Sequence, residues 1–600
     1  MVNKQGDKCL WKSLLPHILV FLWLVFLAST IWWHATESAQ TPHHDPITYM
    51  QKAMNFWRAV NAGGWFNPLD IEPTTRPPGT ILMSYPFGFS SEYRGFYFRS
   101  AFLPILLVII SVYWVLGFSG GSSSGWYVAL MALLLSAISI FYSFDVSEMN
   151  PRPVHWGLVD NFQTGVAALA AAGYVRSFQR KSLMSLFLGT LFGSLTLLIK
   201  PSGLMVMALL GFTWVIGLGM DWIWDRKANR GVSGFQRYVV IGAFLISAID
   251  FIVILLCIYS KYFSAENFEY AKGALVIMKT VLNGPMSLIL SLLINNVGIL
   301  FVLWFLFKVL LFSVDRFRMG KRYSPIPLTM AVMMVSALII WGLGAWYWLI
   351  VQAGGNQVRY FYPFFLMGVI YTVPVSLWMF QKSGRGLRLA EGVLCALTAL
   401  NIGVLMAQDS PPLAWQRFTG VNVTVGQDRE VVQQAYAFLA EIRRQNRPAK
   451  VYTFFYNSLT DIFVTVGFYE GMVRPTLQSF QTVSPVDWIH GFVVKTDQLS
   501  DVDYILVRKD LGVLAEKLFD QKIETYYSEV IVFQAWLCML NEAAGVRIAS
   551  DGTVLRLLQI VDRKAFQDAI SSFVGKHEWR SEFVDANPNL KWDDPAKSGD

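Results

Sequence analysis

Four charged residues in this 600-residue chain stand where an apolar segment meets a polar one. Asp45 opens "DPITYMQKAMNFW", Asp160 opens "DNFQTGVAALAAAGY", Lys200 closes "LTLLIK" ahead of Pro201, and Arg359 precedes "YFYPFF". A carboxylate within hydrogen-bond reach of a hydroxyl can take its proton. A guanidinium fork or an ammonium can hold a phosphate, and such cations stabilise the charge that develops on a phosphate leaving group. Two acids and two cations of this kind suit attack by a hydroxyl on a phosphate-bearing substrate.

Each of these residues also has a plainer explanation. Asp45 followed by Pro46 is an ordinary helix start. Asp160 with Gln163 three residues later resembles a capping box. Lys200 at a helix C-terminus is favoured by the helix dipole, and Pro201 stops the helix from continuing. Asp145 and Glu148 are rival acids in the loop before Asp160, and Tyr360 is a polar neighbour of Arg359. Asp250, in "SAIDFIVILL", lies deep in an apolar run, where an acid either serves function or bonds to a neighbouring helix. His43 and His44 beside Asp45 raise a divalent metal, but no further ligand follows at metal-site spacing.

The elements that must position these residues are membrane spans. The composition is 54% hydrophobic, 15% aromatic and 15% charged, where soluble chains carry about a quarter charged residues. Apolar runs long enough to cross about 30 Å of hydrocarbon number about eleven. They fall near 15–33, 100–117, 126–143, 162–178, 183–199, 203–223, 238–259, 290–313, 327–350, 361–380 and 389–406. The first follows Lys4, Lys8 and Lys12 but is too long for a signal peptide and has no small-residue cleavage site, so it is expected to stay as an anchor.

The loops "VRSFQRK", "WDRKANRGVSGFQR", "DRFRMGKR" and "QKSGRGLR" put the N-terminus inside by the positive-inside rule. The loops 34–99, 144–160, 260–288 and 351–360, and everything after 407, then face outward, periplasmic if the membrane is a bacterial inner one. The net charge of +8 follows largely from this bias, so nucleic-acid binding is not implied. Four Cys, with Cys538 alone on the outer side, imply no disulfide framework.

The expected fold is therefore a polytopic α-helical membrane protein with a C-terminal α/β domain on the outer face. Its parts are a membrane module over 1–407, with 34–99 as the first outer loop, an α/β domain over 408–580, and a disordered polar tail over 581–600. The domain shows in alternating patterns such as "DREVVQQAYAFLAEIRRQ", "KVYTFFY", "VDYILVRKD" and "LGVLAEKLF". In the first outer loop Ile47, Met50, Met54, Trp57 and Val60 recur at helical spacing, which predicts an amphipathic helix with that face on lipid or on neighbouring spans.

The run "HDPITYMQKAMNFW…GGWFNPL…RPPG", then "DNFQTGVAALAAAGYVRSF", "LIKPSGLMV" and "VRYFYPFF", resembles the GT-C superfamily of membrane glycosyltransferases. The nearer branch is that of the protein O-mannosyltransferases and lipid A aminoarabinose transferases, and the likeness covers about 1–380. It implies inverting transfer of a sugar from a polyprenyl-phosphate donor to the hydroxyl of a glycan, lipid or protein acceptor at the outer membrane face. By the same resemblance Asp45 would be the base, Asp160 a second acid shaping the site, and Arg76, Lys200 and Arg359 the holders of the donor phosphate. Trp65 and Pro77 would shape the loop. That branch often has two adjacent acids after the first span, whereas here Pro46 follows Asp45; one carboxylate suffices as a general base. The Trp-Trp-Asp signature of oligosaccharyltransferase catalytic subunits is absent, which argues against en bloc transfer to Asn.

Two other classes fit the composition. A transporter or flippase of a lipid-linked precursor would place its substrate near the midplane between repeated halves, and no paired halves are visible. A non-catalytic envelope assembly protein would keep the scaffold without turnover.

Overall fold

The computed structural model describes residues 4–37, 45–63, 78–84, 93–117, 122–138, 141, 145–147, 150–152, 159–180, 182–227, 242, 304, 308, 328–351, 360–406, 434, 437, 438, 442, 449–452, 480–483, 486–487, 493–494, 502–509 and 535–576. The chain forms two compact units, one of residues 1–37 with 48–424, the other of residues 38–47 with 425–600.

The first unit is helical. In chain order it holds α1 (Lys4–Glu37), most of α2 (Asp45–Asn61), α3 (Gly79–Ser84), α4 (Tyr93–Leu116), α5 (Ser122–Ser136), a ribbon of β1 (Asp145–Ser147) and β2 (Asn150–Arg152), α6 (Val159–Arg180), α7 (Leu183–Ile199), α8 (Gly203–Lys227), α9 (Leu328–Val351), α10 (Tyr362–Lys382) and α11 (Arg385–Met406). Five of the described helices, α1, α4, α8, α9 and α10, are long and apolar enough to cross a membrane. Their outward surface fits that environment: Phe21 is 62% exposed, Val215 61% and Leu338 62%, a display of large apolar side chains that water would penalise.

Helices α6 and α11 also coincide with expected spans, and the spans expected near 238–259 and 290–313 lie almost wholly outside the described residues. The run expected at 126–143 is helical only to Ser136. Hydropathy counts apolar residues and says nothing of where the backbone leaves the helix. At 1.5 Å per residue α5 rises only about 22 Å and α7 about 25 Å, less than a hydrocarbon core.

Helix α6 is the hub of the bundle, packing on α4, α7 and α10. Its sequence "TGVAALAAAG" is nearly all small, so neighbours approach closely. The crossing with α7 is the tightest case: a Cβ on Gly173 would stand 2.5 Å from the Cα of Gly189. Two contacts fix α4 and α6 as parallel neighbours in one register. Gly165 lies against Pro104, and Arg176 Nη1 donates to the Val115 carbonyl at 3.1 Å, 61 residues away. The same offset separates 165 from 104.

On helix α2, the side chains of Ile47, Met50 and Met54 from the predicted face lie outside the described residues. Tyr49, Lys52, Ala53 and Phe56 are buried, while Val60 is 38% exposed. The indole of Trp57 donates to Ser84 Oγ of α3 at 2.6 Å, which ties α2 to α3.

The second unit carries a five-stranded sheet in the order β4 (Phe480–Val483), β3 (Ala449–Tyr452), β7 (Tyr504–Arg508), β9 (Leu555–Ile560), β8 (Val546–Asp551). β3 runs parallel to β4 and β7, and β9 antiparallel to β7 and β8. A short ribbon pairs β5 (Val486–Asp487) with β6 (Val493–Val494). Strand alternation feeds two cores. Tyr452, Ile505 and Leu558 pack with Phe566 and Phe573 of α12 (Arg563–Lys576), whereas Val451, Tyr504, Leu506 and Leu557 pack with Phe438 and Ile442. This is the α/β layering expected from the alternating patterns.

Candidate functional site

Proline at 201 forces the residue before it out of the helical region. Lys200 accordingly leaves α7 with φ −156° and ψ 147°, its N–H donating to the Thr196 carbonyl. This swing brings the Lys200 ammonium onto the carboxylate of Asp160, in the first turn of α6. The Asp160 side chain is 5% exposed and that of Lys200 18%. The ammonium also lies 3.8 Å from the centroid of the Tyr360 ring, just before α10, a cation–π contact that adds to the ion pair.

Gln163 does not close a capping box on Asp160. Its Nε2 donates to the carbonyls of Thr196 at 3.3 Å and Lys200 at 3.4 Å, and its Oε1 accepts from Ser202 Oγ at 3.0 Å. One glutamine thus adds a bond to each of two carbonyls at the end of α7, which also accept from the N–H groups of Lys200 and Gly203. The end of α7, and Lys200 with it, is thereby tied to α6.

The corner that ends "RPPG" packs on the same spot. A Cβ on Gly79 would stand 2.7 Å from the carbonyl oxygen and 2.8 Å from the Cα of Ile199, so only glycine fits there. From Gly79, α3 runs to Ser84, whose Oγ accepts from Trp57 Nε1 and whose carbonyl accepts from Arg99 Nη1 at 3.3 Å. The register of α4 against α6 sets Arg99 level with Asp160. One end of the bundle therefore gathers Lys200, Asp160, Tyr360, Gln163, Ser202 and Arg99 around a short helix tied to α2.

Of the residues singled out from the sequence, the structure brings together Asp160, Lys200 and Tyr360. Asp45 is the first residue of α2. Asp145 begins β1 and faces Arg152 in the ribbon register. Arg76, Arg359, Glu148, Asp250, His43, His44, Trp65 and Pro77 lie outside the described residues. Among the described residues no group of three or more His, Cys, Asp or Glu is placed to hold a metal.

Sequence reasoning read Gln163 as a cap partner and did not single out Arg99 or Lys52, although Lys52 is fully buried. It also missed a second ion pair. Lys308 Nζ lies 2.5 Å from Glu391 Oε1, with side chains 8% and 2% exposed. Trp304 Nε1 donates to the same carboxylate oxygen at 3.4 Å, and the rings of Tyr127 and Phe380 lie 5.6 and 6.0 Å from the ammonium. Tyr127 opens α5 and Phe380 closes α10, so this pair sits at the end of the bundle opposite Lys200.

The second unit has an open groove of about 640 Å³ lined by Trp536, Asn541, Asp568, Ser572 and Phe573 among others. None of the residues named from the sequence lines it.

Chemically, the Lys200 end offers a partly accessible ammonium beside a buried carboxylate. An ammonium has three N–H donors; one faces Asp160, which leaves capacity for an anion. Asp160 cannot easily be the group that meets solvent, so its evident action is to hold and orient Lys200.

No family model and no curated protein matches the chain. Among solved structures, the chain is similar to the crystal structure of an Archaeoglobus fulgidus oligosaccharyltransferase tethered by a disulfide to an acceptor peptide containing the NVT sequon. The identity is 12% and the TM-score 0.40, over 89% of this chain and 73% of that one.

Proposed function

We propose that this integral membrane protein is an inverting glycosyltransferase that moves a sugar from a polyprenyl-phosphate donor to an acceptor hydroxyl. The observation that carries the reading is the Lys200–Asp160 pair beside Tyr360, where a buried carboxylate fixes a cation that keeps part of its surface open. The Lys- and Arg-rich loops support an outward position for this end of the bundle, which we take as the periplasmic face of a bacterial inner membrane, at headgroup depth, where a lipid phosphate lies.

In the proposed reaction the acceptor oxygen attacks the anomeric carbon, the bond from that carbon to the phosphate oxygen breaks, and polyprenyl phosphate leaves. Lys200 neutralises the charge gained by the phosphate, with Arg76 and Arg359 as further holders. Asp160 is a positioning residue for Lys200. Asp45 receives the acceptor proton as general base. The acceptor is a glycan, lipid or protein hydroxyl.

Liposomes containing the protein, labelled polyprenyl-phosphate sugars and envelope acceptors test this. Transfer by the wild type that falls by about a hundredfold or more in Asp45→Asn, as loss of a general base predicts, supports the reading. Equal turnover removes Asp45 from the chemistry.

A transport reading draws on the Lys308–Glu391 pair, since buried ionic groups within spans often mark pathways. Movement of a labelled lipid-linked precursor between leaflets without any new glycosidic bond would favour it.

A further inference from the structure

Asn161 follows Asp160 in the first turn of α6 and is 1% exposed, yet neither its Oδ1 nor its Nδ2 has a hydrogen-bond partner. Buried amides are nearly always paired, because an orphaned one keeps the full cost of leaving water. A leucine would occupy almost the same shape without that cost. Buried Asp160, Gln163 and Thr164 share this polar turn and each is hydrogen-bonded, whereas the Asn161 amide is not.

Its place in the bundle is set by register. The offset that joins Arg176 to Val115, and Gly165 to Pro104, carried one turn toward the helix starts, puts Asn161 level with Ser100. This tier adjoins the Lys200–Asp160 pair by one residue along α6. Beside it α3, a six-residue helix, touches α4, α6 and α7, and its Ser84 carbonyl accepts from Arg99, the residue before Ser100. Displacement of so short an element would open the tier to a ligand.

We infer that Asn161 binds hydroxyls of the sugar carried by the lipid donor, an assignment that rests on the glycosyl-transfer reading above. The two orphaned atoms decide the ligand class. Oδ1 only accepts and Nδ2 only donates. Phosphate oxygens offer acceptors alone and would leave Oδ1 unpaired. A sugar hydroxyl both donates and accepts, so two adjacent hydroxyls satisfy both atoms at once. The labour then divides along the α6 turn: Lys200, held by Asp160, takes the phosphate, and Asn161 reads the sugar. A site built to hydrogen-bond hydroxyls rejects analogues that lack them.

The test uses full-length protein in nanodiscs, with Asn161→Leu and Asn161→Ala compared to wild type. Two quantities are read: the unfolding midpoint without ligand, and the Kd for a polyprenyl-phosphate sugar against sugar-free polyprenyl phosphate. Expected for Asn161→Leu is an unchanged or raised midpoint, a Kd for the glycosylated lipid weakened about tenfold, and an unchanged Kd for the sugar-free lipid. Asn161→Ala should lose the same preference, which guards against a fault peculiar to leucine.

A midpoint lowered by several degrees in both variants would overturn the assignment, because it would mean that the amide is paired within the fold. So would a retained preference for the glycosylated lipid. That last result, with a wild type that binds and transfers, fails Asn161 alone. A wild type with no affinity for any polyprenyl-phosphate sugar fails the glycosyl-transfer reading, and the assignment with it.

Discussion

Gly79 lies so close to Ile199 that any side chain on it would collide with the last carbonyl of α7. The contact joins the end of "RPPG" to the residue that precedes Lys200, so the first loop and the cation are positioned by one another. Gly79→Ala should cost about 1–3 kcal/mol through overpacking of backbone on backbone. Because the strain falls beside Lys200, donor affinity should drop more than the melting midpoint alone explains. Parallel measurement of Kd and of thermal unfolding checks this, and a loss confined to stability would uncouple the corner from the cation.

Asp160 and Lys200 should behave as one unit. Removing one member of a buried pair leaves a charge uncompensated, which costs about 3–5 kcal/mol when both are fully buried. Lys200 keeps 18% of its side chain exposed, so the expected loss for Asp160→Asn is smaller, about 1–3 kcal/mol. Asp160→Asn combined with Lys200→Met should recover part of that stability while losing donor binding. A double-mutant cycle on unfolding gives the coupling; additive effects would contradict the pairing.

The tether from Trp57 to Ser84 should hold α2 against α3. Trp57→Phe keeps the aromatic bulk and removes the indole donor, at a cost of about 1 kcal/mol. Hydrogen exchange in α2 should quicken while α7 and α10 stay unchanged. Equal protection of α2 in both proteins would show that burial of Tyr49, Ala53 and Phe56 suffices.

In the second unit the Asp551 carboxyl is held below the usual carboxylate range, first by its hydrogen bond from Arg556 and then by Lys509, against some opposing desolvation. A depressed pKa adds stability that is fully present above the unfolded value, about 3.9, and is lost as pH falls through the lower folded value. The side chain is 42% exposed, so screening keeps the effect small. Asp551→Asn should therefore leave the acid side of the unfolding profile flatter below about pH 4 and change little at neutral pH. An unaltered acid limb would show the carboxylate carries no linkage.

The bundle was largely legible because each span is a long apolar run, and Lys200 was legible because proline at 201 marks the helix end from sequence alone. Gln163 was misread, since a glutamine three residues after an acid has the spacing of a cap whether or not it bonds to a different helix. Periodicity weighs side chains by hydropathy and cannot see that a tryptophan N–H will be tethered to Ser84, or that Lys52 will be buried. The pairing of Lys308 with Glu391 joins residues 83 apart in the chain, a relation that no local pattern encodes. Nothing in the sequence singles out Gly79, and only the packed structure shows it as a point of contact between backbones.

Binding of the donor phosphate by Lys200 is tested most directly by the Kd of a labelled polyprenyl-phosphate sugar for full-length protein in nanodiscs, wild type against Lys200→Met. The methionine keeps the length and removes the charge. Affinity for the lipid phosphate should fall by about tenfold to a hundredfold, as loss of a charge-assisted contact predicts, with acceptor binding unchanged. Equal donor affinity in the two proteins would contradict the assignment and leave Lys200 as a helix cap paired with Asp160.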